Sequence, residues 1–370
     1  MAQGVGFICL RCGYRGREGP RCPRCGFPLI VEPGRFKVIK TRPNIWRYEP
    51  AIGVPQGVTL GEGLTPLKRV GDVLVKDEGR NPTGSYADRG SAVVASAYSE
   101  GEAAVAFEPD FALSLGAYLS AKRVRTKVYV DPEYVDYAEL LELLRLRLVS
   151  VEFGPPRGAT LQYGDPYFLA GVKTIAYEIY ERVPRADAVV VPVGKGLLAL
   201  AVYEGFRELE EWGLMPAPKI ILAKHRGAPA AGDVVEWLSG RAAVEEVEAE
   251  EAVRAVAELA GGGIYAKPLS AMAYAAARGI PNAVAVITGT GLRKIKPRIY
   301  PSVGGLRQEV LEALRGGRAM AAAQIWEALG RRYSLRGIYK ALAALEASGA
   351  VSHKYVMAGG RRVKVFFLKE

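Results

Sequence analysis

Short β-branched runs alternate with Ala-rich amphipathic stretches between about residues 44 and 298. The runs are rich in Val and Ile and only four to six residues long, which predicts buried strands rather than helices. They lie at residues 73–76, 126–130, 188–193, 219–222 and 283–287. Helical periodicity occupies intervals such as 112–122 and 171–182. This alternation predicts an α/β domain with a mostly parallel sheet and helices on both faces, in which ligands bind at the carboxyl ends of the strands.

The pattern changes at residue 304, where the large domain expected at 44–303 ends. Apolar residues at helical spacing predict three helices, at 306–314, 321–329 and 335–347. Ser334 is the expected N-cap of the third helix and Gly349 its C-terminal stop. Two strand-like segments, 351–355 and 362–367, flank Gly359-Gly360, which predicts a hairpin. The expected inward side chains are Val310, Leu311, Leu314, Ile325, Trp326, Leu329, Leu335, Ile338, Leu342 and Leu345.

Composition and charge narrow the class of protein. The 370 residues suffice for two or three domains. No apolar run approaches the roughly 20 residues that cross a bilayer, and residues 1–7 lack a signal-peptide pattern, so we expect a cytoplasmic protein without a membrane partner. The net charge is +11, and residues 304–370 carry 12 Lys and Arg against 5 Asp and Glu. We therefore expect most of the excess positive charge in this C-terminal region, where it would contact nucleic acid. Only three Asn and five Gln occur, which is typical of thermophilic proteins, although codon bias explains it equally well.

All four cysteines lie within 17 residues, as two Cys-x-x-Cys pairs that are each followed by Gly. Four thiolates that converge in a tetrahedron suit Zn²⁺, and four sulfur ligands leave no coordination position for water. We therefore predict a structural zinc ribbon over residues 1–43 whose folding energy comes from the metal. Disulfides are the alternative, which a reducing cytosol disfavours. The predicted ligands are Cys9, Cys12, Cys22 and Cys25.

Several motifs of the middle region follow one another in a recognisable order. They read Leu-Gly-Glu-Gly-Leu-Thr-Pro-Leu at 60–67, Val-Lys-Asp-Glu at 75–78, Asn-Pro-Thr-Gly-Ser at 81–85, Asp-Arg-Gly at 88–90, Lys-Thr-Ile-Ala-Tyr-Glu-Ile at 173–179, Val-Pro-Val-Gly at 191–194 and Ile-Thr-Gly-Thr-Gly-Leu-Arg at 287–293. Together they resemble threonine synthase over roughly residues 7–300, and the N-terminal zinc ribbon also occurs in many members of that family. The resemblance implies pyridoxal phosphate (PLP) as the family's cofactor and a tryptophan-synthase-β-like α/β fold. That fold has two parallel-sheet αβα subdomains, the smaller one inserted at about residues 85–155.

The position of the family's catalytic lysine is altered. In the family, Asn-Pro-Thr-Gly-Ser is followed by Phe-Lys-Asp-Arg-Gly, and this lysine forms the Schiff base with PLP. The corresponding segment here is Tyr86-Ala87-Asp88-Arg89-Gly90. Ala87 has no amine, so we expect neither covalently bound PLP nor a catalytic residue at this position.

Two loops that hold cofactor and substrate in the family are altered as well. The Ser-Thr-Gly-Asn type loop corresponds to residues 107–111, where Glu108 and Asp110 are expected to repel a carboxylate and Pro109 removes a backbone donor. The phosphate-binding Gly-x-Gly-Gly-Asn loop reads Gly194-Lys195-Gly196-Leu197-Leu198. Lys195 is expected to add positive charge to an anion site, whereas the Leu-Leu pair argues against the converging N–H groups that bind phosphate.

A further altered motif supplies a lysine. The family's Glu-Pro-x-Ser-Ala pattern reads Lys267-Pro268-Leu269-Ser270-Ala271. Lys267 either balances the negative charge of Glu108 and Asp110 or offers a relocated amine to PLP, and both interpretations stay open. Thr288 matches the family residue that faces the pyridine nitrogen. The expected ligand cleft is therefore formed by Ser85, Asp88, Glu108, Asp110, Gly194, Lys195, Gly196, Lys267 and Thr288.

The C-terminal pattern resembles a winged helix-turn-helix domain. The match is to regulators whose recognition helix reads Ile-Tyr-x-x-Leu-x-x-Leu-Glu-x-x-Gly, found here at 338–349. The resemblance places Arg336, Tyr339 and Lys340 in the DNA major groove. It places the hairpin cations at phosphates, and these are Lys354, Arg361, Arg362 and Lys364. A basic dimerisation or capping domain is the alternative.

These features predict a catalytically inactive, threonine-synthase-like protein that acts as a homodimeric, DNA-binding transcriptional regulator. Its expected partners are double-stranded DNA and a small effector, either an amino acid or a phosphate ester. One alternative is a PLP-dependent threonine synthase or related lyase that uses a relocated lysine. The other is a non-catalytic partner subunit of an active synthase.

Overall fold

The chain forms two compact units, residues 1–295 and 296–370. The computed structural model describes residues 5–17, 19–133, 135–156, 158, 160–228, 232–292, 305–315, 317, 319–331, 333–358 and 361–369. Three predicted features lie outside these residues: the domain boundary at 304, Arg293 of the last family motif, and the Gly359-Gly360 turn. No helix of the described part is both long and apolar enough to cross a membrane.

The described residues form the following elements. The strands are β1 (Phe7–Ile8), β2 (Arg15–Gly16), β3 (Ile30–Val31), β4 (Leu67–Val70), β5 (Val73–Asp77), β6 (Glu102–Ala106), β7 (Arg125–Val130), β8 (Val149–Phe153), β9 (Ala188–Pro192), β10 (Lys219–His225), β11 (Ala243–Val247), β12 (Ala283–Ile287), β13 (Met320–Ala321), β14 (Val351–Ala358) and β15 (Arg361–Leu368). The helices are α1 (Glu49–Ile52), α2 (Ala87–Ala97), α3 (Phe111–Ala121), α4 (Tyr137–Leu144), α5 (Pro166–Val172), α6 (Thr174–Arg182), α7 (Leu197–Glu211), α8 (Asp233–Ser239), α9 (Ala249–Gly261), α10 (Pro268–Ala277), α11 (Gly305–Leu314), α12 (Ala322–Ala328) and α13 (Leu335–Ala347). Short 3₁₀ turns occur at Ile45–Tyr48 and Glu78–Arg80.

The larger sheet of the first unit has six strands in the order β11-β10-β9-β12-β5-β4. Its neighbouring strands are parallel except for β4, which runs antiparallel to β5. The central strands β9 and β12 are completely buried and apolar, as expected where helices cover both faces of a parallel sheet. One apolar cluster joins these strands to α9 and α10. The predicted mostly parallel sheet is therefore confirmed, with one antiparallel edge.

The smaller sheet of the first unit has three parallel strands in the order β6-β7-β8. Leu161 adds a parallel bridge to Val105 on the outer side of β6. Helix α3 packs on β7 and α4 packs on β8, while α2 packs against both α3 and α5. The sheet lies within the interval predicted for the smaller subdomain.

The N-terminal segment forms a small antiparallel sheet in the order β2-β1-β3. Two aromatic contacts join it to the rest of the first unit. The rings of Phe7 and Tyr167 lie 5.5 Å apart, and those of Phe27 and Trp237 lie 5.3 Å apart. The segment is therefore packed against the large domain through its apolar side chains.

The second unit contains α11, α12 and α13 and a three-stranded antiparallel sheet in the order β13-β15-β14. Its core includes the predicted Val310, Ile325 and Leu342. The N-cap prediction is confirmed, because Ser334 Oγ accepts a hydrogen bond from Gly337 N at 3.1 Å. Gly349 follows α13 with a positive φ of 76°, as a C-terminal stop requires. Leu335 was misplaced in the predicted core: as the first helical residue it lies outside the apolar stripe and is 37% exposed.

Most predicted elements lie within one or two residues of the observed ones, and β12 coincides with its prediction. The helix predicted at 171–182 is an exception, because α5 and α6 occupy this region and the first of them begins earlier. Asp165 accepts a hydrogen bond from Tyr167 N at 2.9 Å, and Pro166 is the first helical residue. This capping pair starts the helix before its apolar periodicity becomes visible.

A buried set of four charged side chains joins the strand β5 to two helices. Lys76 lies in β5, Glu78 directly follows it, Arg89 lies in α2 and Glu178 lies in α6. All four are at most 2% exposed. The set contains two cations and two anions, so its net charge is zero.

Arg89 is bound at both ends of its guanidinium group. Its Nε and Nη2 lie 2.6 and 2.8 Å from the two carboxylate oxygens of Glu78, and its Nη1 lies 2.6 Å from Glu178 Oε1. Lys76 Nζ lies 2.6 Å from Glu178 Oε2 and 2.8 Å from the carbonyl oxygen of Thr65. Burial by itself raises the pKa of Glu178, but Arg89 and Lys76 outweigh burial and hold the pKa below its ordinary value.

Removing one member of this set leaves a buried charge without its partner. We therefore expect Arg89→Ala to lower the free energy of unfolding by about 3–5 kcal/mol. The matched control is Arg125→Ala, which removes an arginine whose ion pair with Glu102 is 77% exposed on both sides and should cost less than about 1 kcal/mol. Chemical denaturation of both variants measures the difference, and equal losses would contradict a structural role for the buried set.

Candidate functional site

Loops of the first unit meet at the carboxyl ends of the strands. The loop after β6 carries Glu108 and Asp110, the loop after β9 carries Lys195, and Lys267 directly precedes α10. Lys195 Nζ lies 2.5 Å from Glu108 Oε2. Lys267 Nζ lies 2.9 Å from both carboxylate oxygens of Asp110. The two ion pairs therefore tie the acidic loop beside the small sheet to two loops beside the large sheet.

These ion pairs change the electrostatics that the sequence predicts. Glu108 and Asp110 are predicted to repel anions and Lys195 to attract them, yet in the structure each acid is paired with a lysine. The pair of Lys267 and Asp110 is the more buried, with side chains 29% and 19% exposed, whereas the side chain of Lys195 is 62% exposed. The geometry agrees with the interpretation in which Lys267 balances the acidic loop. The two ion pairs therefore carry no net charge.

Asp110 has an unusual backbone conformation, with a positive φ of 65°. Such a conformation costs free energy for a residue with a side chain and needs support from its surroundings. Asp110 N donates a hydrogen bond to Glu139 Oε2 at 3.0 Å, and its carboxylate is held by Lys267. The turn that begins α3 is therefore fixed from two sides.

Ala87 occupies the first turn of α2 and is buried. The preceding Tyr86 donates its backbone N–H to the carbonyl oxygen of Thr288 at 2.8 Å, which anchors this turn to the end of β12. The hydroxyl groups of Tyr86 and Tyr163 lie 2.5 Å apart. The rings of Phe111 and Phe168 pack around them. The turn therefore places aromatic side chains and the methyl group of Ala87 at the position where the sequence resemblance implies a lysine in related proteins.

Three other residues of the predicted cleft bind groups of the protein itself. Asp88 is completely buried and accepts hydrogen bonds from Thr83 N, Thr83 Oγ1 and Ser114 Oγ, all at 2.6 Å. Burial raises the pKa of Asp88 to about 7 although these donors oppose the rise. Ser85 Oγ accepts from Ala87 N at 3.3 Å, and the hydroxyl of Thr288 bonds to Ser270 Oγ. Asp88 and Ser85 are thus interior residues rather than exposed ligand groups.

The glycine loop after β9 leads directly into a helix. Gly196 has a positive φ of 84° and caps α7, whose first residues are the buried Leu197 and Leu198. A side chain on Gly196 would lie 2.9 Å from Val235, so this glycine is needed for packing as well as for its backbone angle. The loop therefore keeps its glycines while its lysine is turned to Glu108.

The residues at the cleft do not fit PLP held as in the resembling family. Ala87 supplies no amine, and the acidic loop carries two carboxylates that are already engaged by Lys195 and Lys267. Sequence reasoning did not identify Tyr86, Tyr163 or Glu139 as part of this site. Only the neighbourhood of Tyr86 to Ala87 could have drawn attention to it, because the other two lie far away along the chain.

The four cysteines come together at two similar turns. In each turn the glycine after the second cysteine donates to the first cysteine's carbonyl oxygen at 2.9 Å, and Gly13 and Gly26 both have positive φ, 70° and 71°. The four Sγ atoms all lie within 4.8 Å of one another. The shortest S–S distances are 3.5 Å, far from a disulfide bond of about 2.05 Å and close to the roughly 3.8 Å between sulfur ligands of a tetrahedral zinc ion. The cluster therefore allows a zinc site, which would hold the two turns together.

The second unit presents the predicted residues of α13 to solvent. Arg336, Tyr339 and Lys340 are all exposed, and the ring of Tyr339 is 54% exposed. The opposite side of the helix packs into the core through Ile338, Leu342 and other apolar residues. The three predicted residues therefore lie on the exposed side of α13.

The hairpin of β14 and β15 distributes its cations unequally. Arg362 is exposed and its guanidinium lies 4.1 Å from the ring centre of Tyr355. Lys364, predicted to contact phosphate, is 35% exposed and pairs with Glu346 of α13 at 3.1 Å. The register places Met357 opposite Arg362 and Tyr355 opposite Lys364, so these cations share one face, whereas Lys354 points to the other. The side chain of Arg361 lies outside the described residues.

The positive charge of the chain is concentrated at both ends, which corrects the expectation that most of it lies in the last fifth. Residues 1–47 carry ten Lys and Arg against two Glu, a net charge of +8, and residues 48–303 carry a net charge of −4. In the N-terminal segment the exposed cations include Arg11 and Arg24, which occupy equivalent positions in the two cysteine pairs. Residues 1–47 are therefore at least as basic as residues 304–370, whose net charge is +7.

Comparisons with known proteins find similarity between the middle of the chain and pyridoxal-phosphate dependent enzymes. Residues 58–237 match a family model described as pyridoxal-phosphate dependent enzyme. The threonine synthase of Methanosarcina acetivorans is 28% identical over 309 residues, which cover 71% of this chain and 75% of that protein. The threonine synthase of Methanocaldococcus jannaschii is also 28% identical, over 63% of this chain and 68% of that protein. The middle of the chain is thus similar to threonine synthases.

Solved structures support the fold. Maize serine racemase superposes with a TM-score of 0.53 at 14% identity, covering 68% of this chain and 93% of that chain. A fungal L-serine ammonia-lyase from Rhizomucor miehei gives a TM-score of 0.53 at 16% identity, covering 62% of this chain and 94% of that chain. These similarities show a shared α/β fold with parallel sheets.

Proposed function

We propose that this chain is a threonine-synthase-like protein without covalent cofactor chemistry, and that it acts as a DNA-binding transcriptional regulator. The observation that supports the first part is the altered cleft. Ala87 stands at the position of the family's lysine, and the two carboxylates of the acidic loop are paired with Lys195 and Lys267. Nucleophilic or Schiff-base chemistry needs an amine at a defined position. The buried charged set around Arg89 keeps the fold while this chemistry is absent.

The second part of the proposal rests on the second unit, which we interpret as a winged helix-turn-helix domain. Its element order is helix, short strand, two helices and a hairpin. Exposed Arg336, Tyr339 and Lys340 on α13 would read base edges in the major groove. Lys354 and Arg362 of the hairpin would contact phosphates, which adds affinity without sequence information.

The N-terminal segment is proposed to be a zinc ribbon. Cys9, Cys12, Cys22 and Cys25 would hold the ion, and four thiolates would leave it without an open position for catalysis. The metal would therefore act only by stabilising the two turns.

The cleft is proposed to sense a small effector, an amino acid or a phosphate ester. Any such ligand would have to compete with the ion pairs of Lys195 and Lys267. A ligand that opens these pairs would bind one arrangement of the two sheets better than the other, and this difference is what shifts a conformational equilibrium. Double-stranded DNA and a second copy of the chain are the proposed macromolecular partners.

A second candidate function is a PLP-dependent threonine synthase or related lyase. The matched relatives favour it, because they are themselves threonine synthases. Lys267 is the amine that could serve, since its side chain is 29% exposed at the cleft. A non-catalytic partner subunit of an active synthase is the third candidate, and it shares the altered cleft with our main proposal.

Cofactor binding separates these candidates. We expect full-length protein that has been incubated with PLP and dialysed to retain no cofactor absorbance. We also expect borohydride reduction to leave no pyridoxyl group on Lys267, because Asp110 engages its ammonium group. Absorption spectra and peptide mass mapping measure both, with Lys267→Ala as the control. A label that is present in the parent protein and absent in Lys267→Ala would favour the lyase. Ala87→Lys alone should not restore synthase activity, since Glu108 and Asp110 remain.

Metal analysis tests the ribbon. We expect about one zinc ion per chain, because four sulfur ligands complete one tetrahedral site, and we expect Cys22→Ser to lower the zinc content and loosen the N-terminal segment. Elemental analysis measures the zinc content, and thiol titration before and after chelation measures how accessible the cysteines of the N-terminal segment are. A chain with no zinc and fewer than four free thiols in denaturant would instead support disulfides.

DNA binding tests the regulator proposal. After selection of a binding site from random duplexes, Arg336→Ala and Lys340→Ala should each cost about 1–3 kcal/mol of affinity if they contact base edges. Arg362→Ala should reduce the slope of log K against log salt by about 0.9. The control is Arg185→Ala, an exposed arginine of the acidic middle region. Affinities and salt slopes that are identical in the parent protein and all four variants would show that the second unit does not form the DNA site.

A further inference from the structure

Helix α4 carries an apolar stripe on its solvent side. Tyr137, Leu141 and Leu144 are 69%, 63% and 56% exposed. They are spaced by four and three residues, so they line one face over about 10 Å of helix. The other side of the helix packs into the core of the first unit, where Leu140 and Leu143 are buried. A contiguous exposed stripe of this kind marks an interaction surface.

The stripe lies beside an open sheet edge. Helix α4 packs on β8, which is the last strand of the order β6-β7-β8 and pairs only with β7 among the described strands. Phe153 at the end of β8 is 60% exposed, and no residue of β8 is fully buried. An uncovered edge presents backbone groups to a further strand. The apolar stripe and the edge therefore belong to the same side of the small sheet.

The two ends of α4 carry opposite charges. Asp131, Glu133 and Asp136 precede the helix, and Arg145 and Arg147 follow it. All of these residues are exposed except Asp136, which is half-buried and caps the helix through Ala138 N and Glu139 N. Arg145 pairs with Glu142 of the helix itself at 2.7 Å, so the net positive charge after the helix comes from Arg147. Along the axis of α4, the surface is thus acidic before the helix, apolar along it and basic after it.

We propose that this surface binds a second copy of the chain, with the two α4 helices antiparallel across a twofold axis near Leu141. A twofold interface brings the same patch of both copies together. Tyr137 of each copy then faces Leu144 of the other, and the acidic end of each helix faces the basic end of the other. A parallel arrangement would place acid on acid and base on base, which costs free energy.

Strand β8 fits the same symmetry. If the two β8 strands pair antiparallel about Val151, Ser150 of one copy faces Glu152 of the other, so no like charges meet. Three side chains of one helix are too few for a stable dimer, which buries about 800 Å² on each partner. The edge of β8 and Phe153 supply the additional contact area.

This inference deepens the homodimer of the proposed function, but it is measured without DNA, so a failure of DNA binding leaves it untouched. Sedimentation equilibrium of the full chain is the experiment. We expect the parent protein to be dimeric at micromolar concentration and Leu141→Glu, which places two carboxylates near the axis, to raise the dimer dissociation constant at least tenfold. The control is Val253→Glu, which adds the same charge at a 64% exposed apolar position on α9.

Charge reversal tests the antiparallel arrangement. Arg147→Glu and Glu133→Lys should each weaken the dimer several-fold, and the double variant should regain most of the parent affinity, because the reversed ends are again complementary. Thermal melts check that each variant is folded. A monomeric parent protein, a Leu141→Glu variant as dimeric as Val253→Glu, or a double variant weaker than both singles would each overturn the proposal.

Discussion

The ionic contacts of Arg89 are the constraint on which the rest of the first unit depends. A guanidinium group that is completely buried needs carboxylates on more than one side, and here Glu78 and Glu178 come from different elements, while Lys76 balances the remaining charge. The strand β5 and the helices α2 and α6 must therefore meet at one place. Three of the motifs that carry the resemblance to threonine synthase contain these four residues. These motifs are therefore needed for the fold, whether or not the chain catalyses a reaction.

The predicted cleft includes residues only one or two positions along the chain from Arg89. Ala87 stands at the start of the same helix, and the acidic loop opposite it is neutralised by lysines from two other loops. Those lysines also bridge the parts of the first unit that carry the small and the large sheet. The ion pairs of Lys195 and Lys267 are thus contacts that a ligand or a conformational change would have to break.

The charge of the molecule follows its division into segments. Both ends of the chain are basic, the middle carries a slight negative charge, and the exposed cations of α13 lie on a helix whose other side is packed. Lys364 shows that a basic residue in a basic hairpin can still serve the fold, because its ammonium group is bound to Glu346. Net charge by itself therefore indicates the class of partner, while contacts decide which side chains are available to it.

The sequence alone determined the α/β alternation, the cysteine cluster, and the helices and hairpin of the second unit, since each depends on local spacing. Only the tertiary structure decided the partners of charged side chains. It paired Lys195 with Glu108 and Lys267 with Asp110, and it buried Asp88 against Thr83 and Ser114. The physical reason is that ion pairs and burial depend on distances between segments far apart in the chain, and the pattern along one segment carries no information about what packs against it.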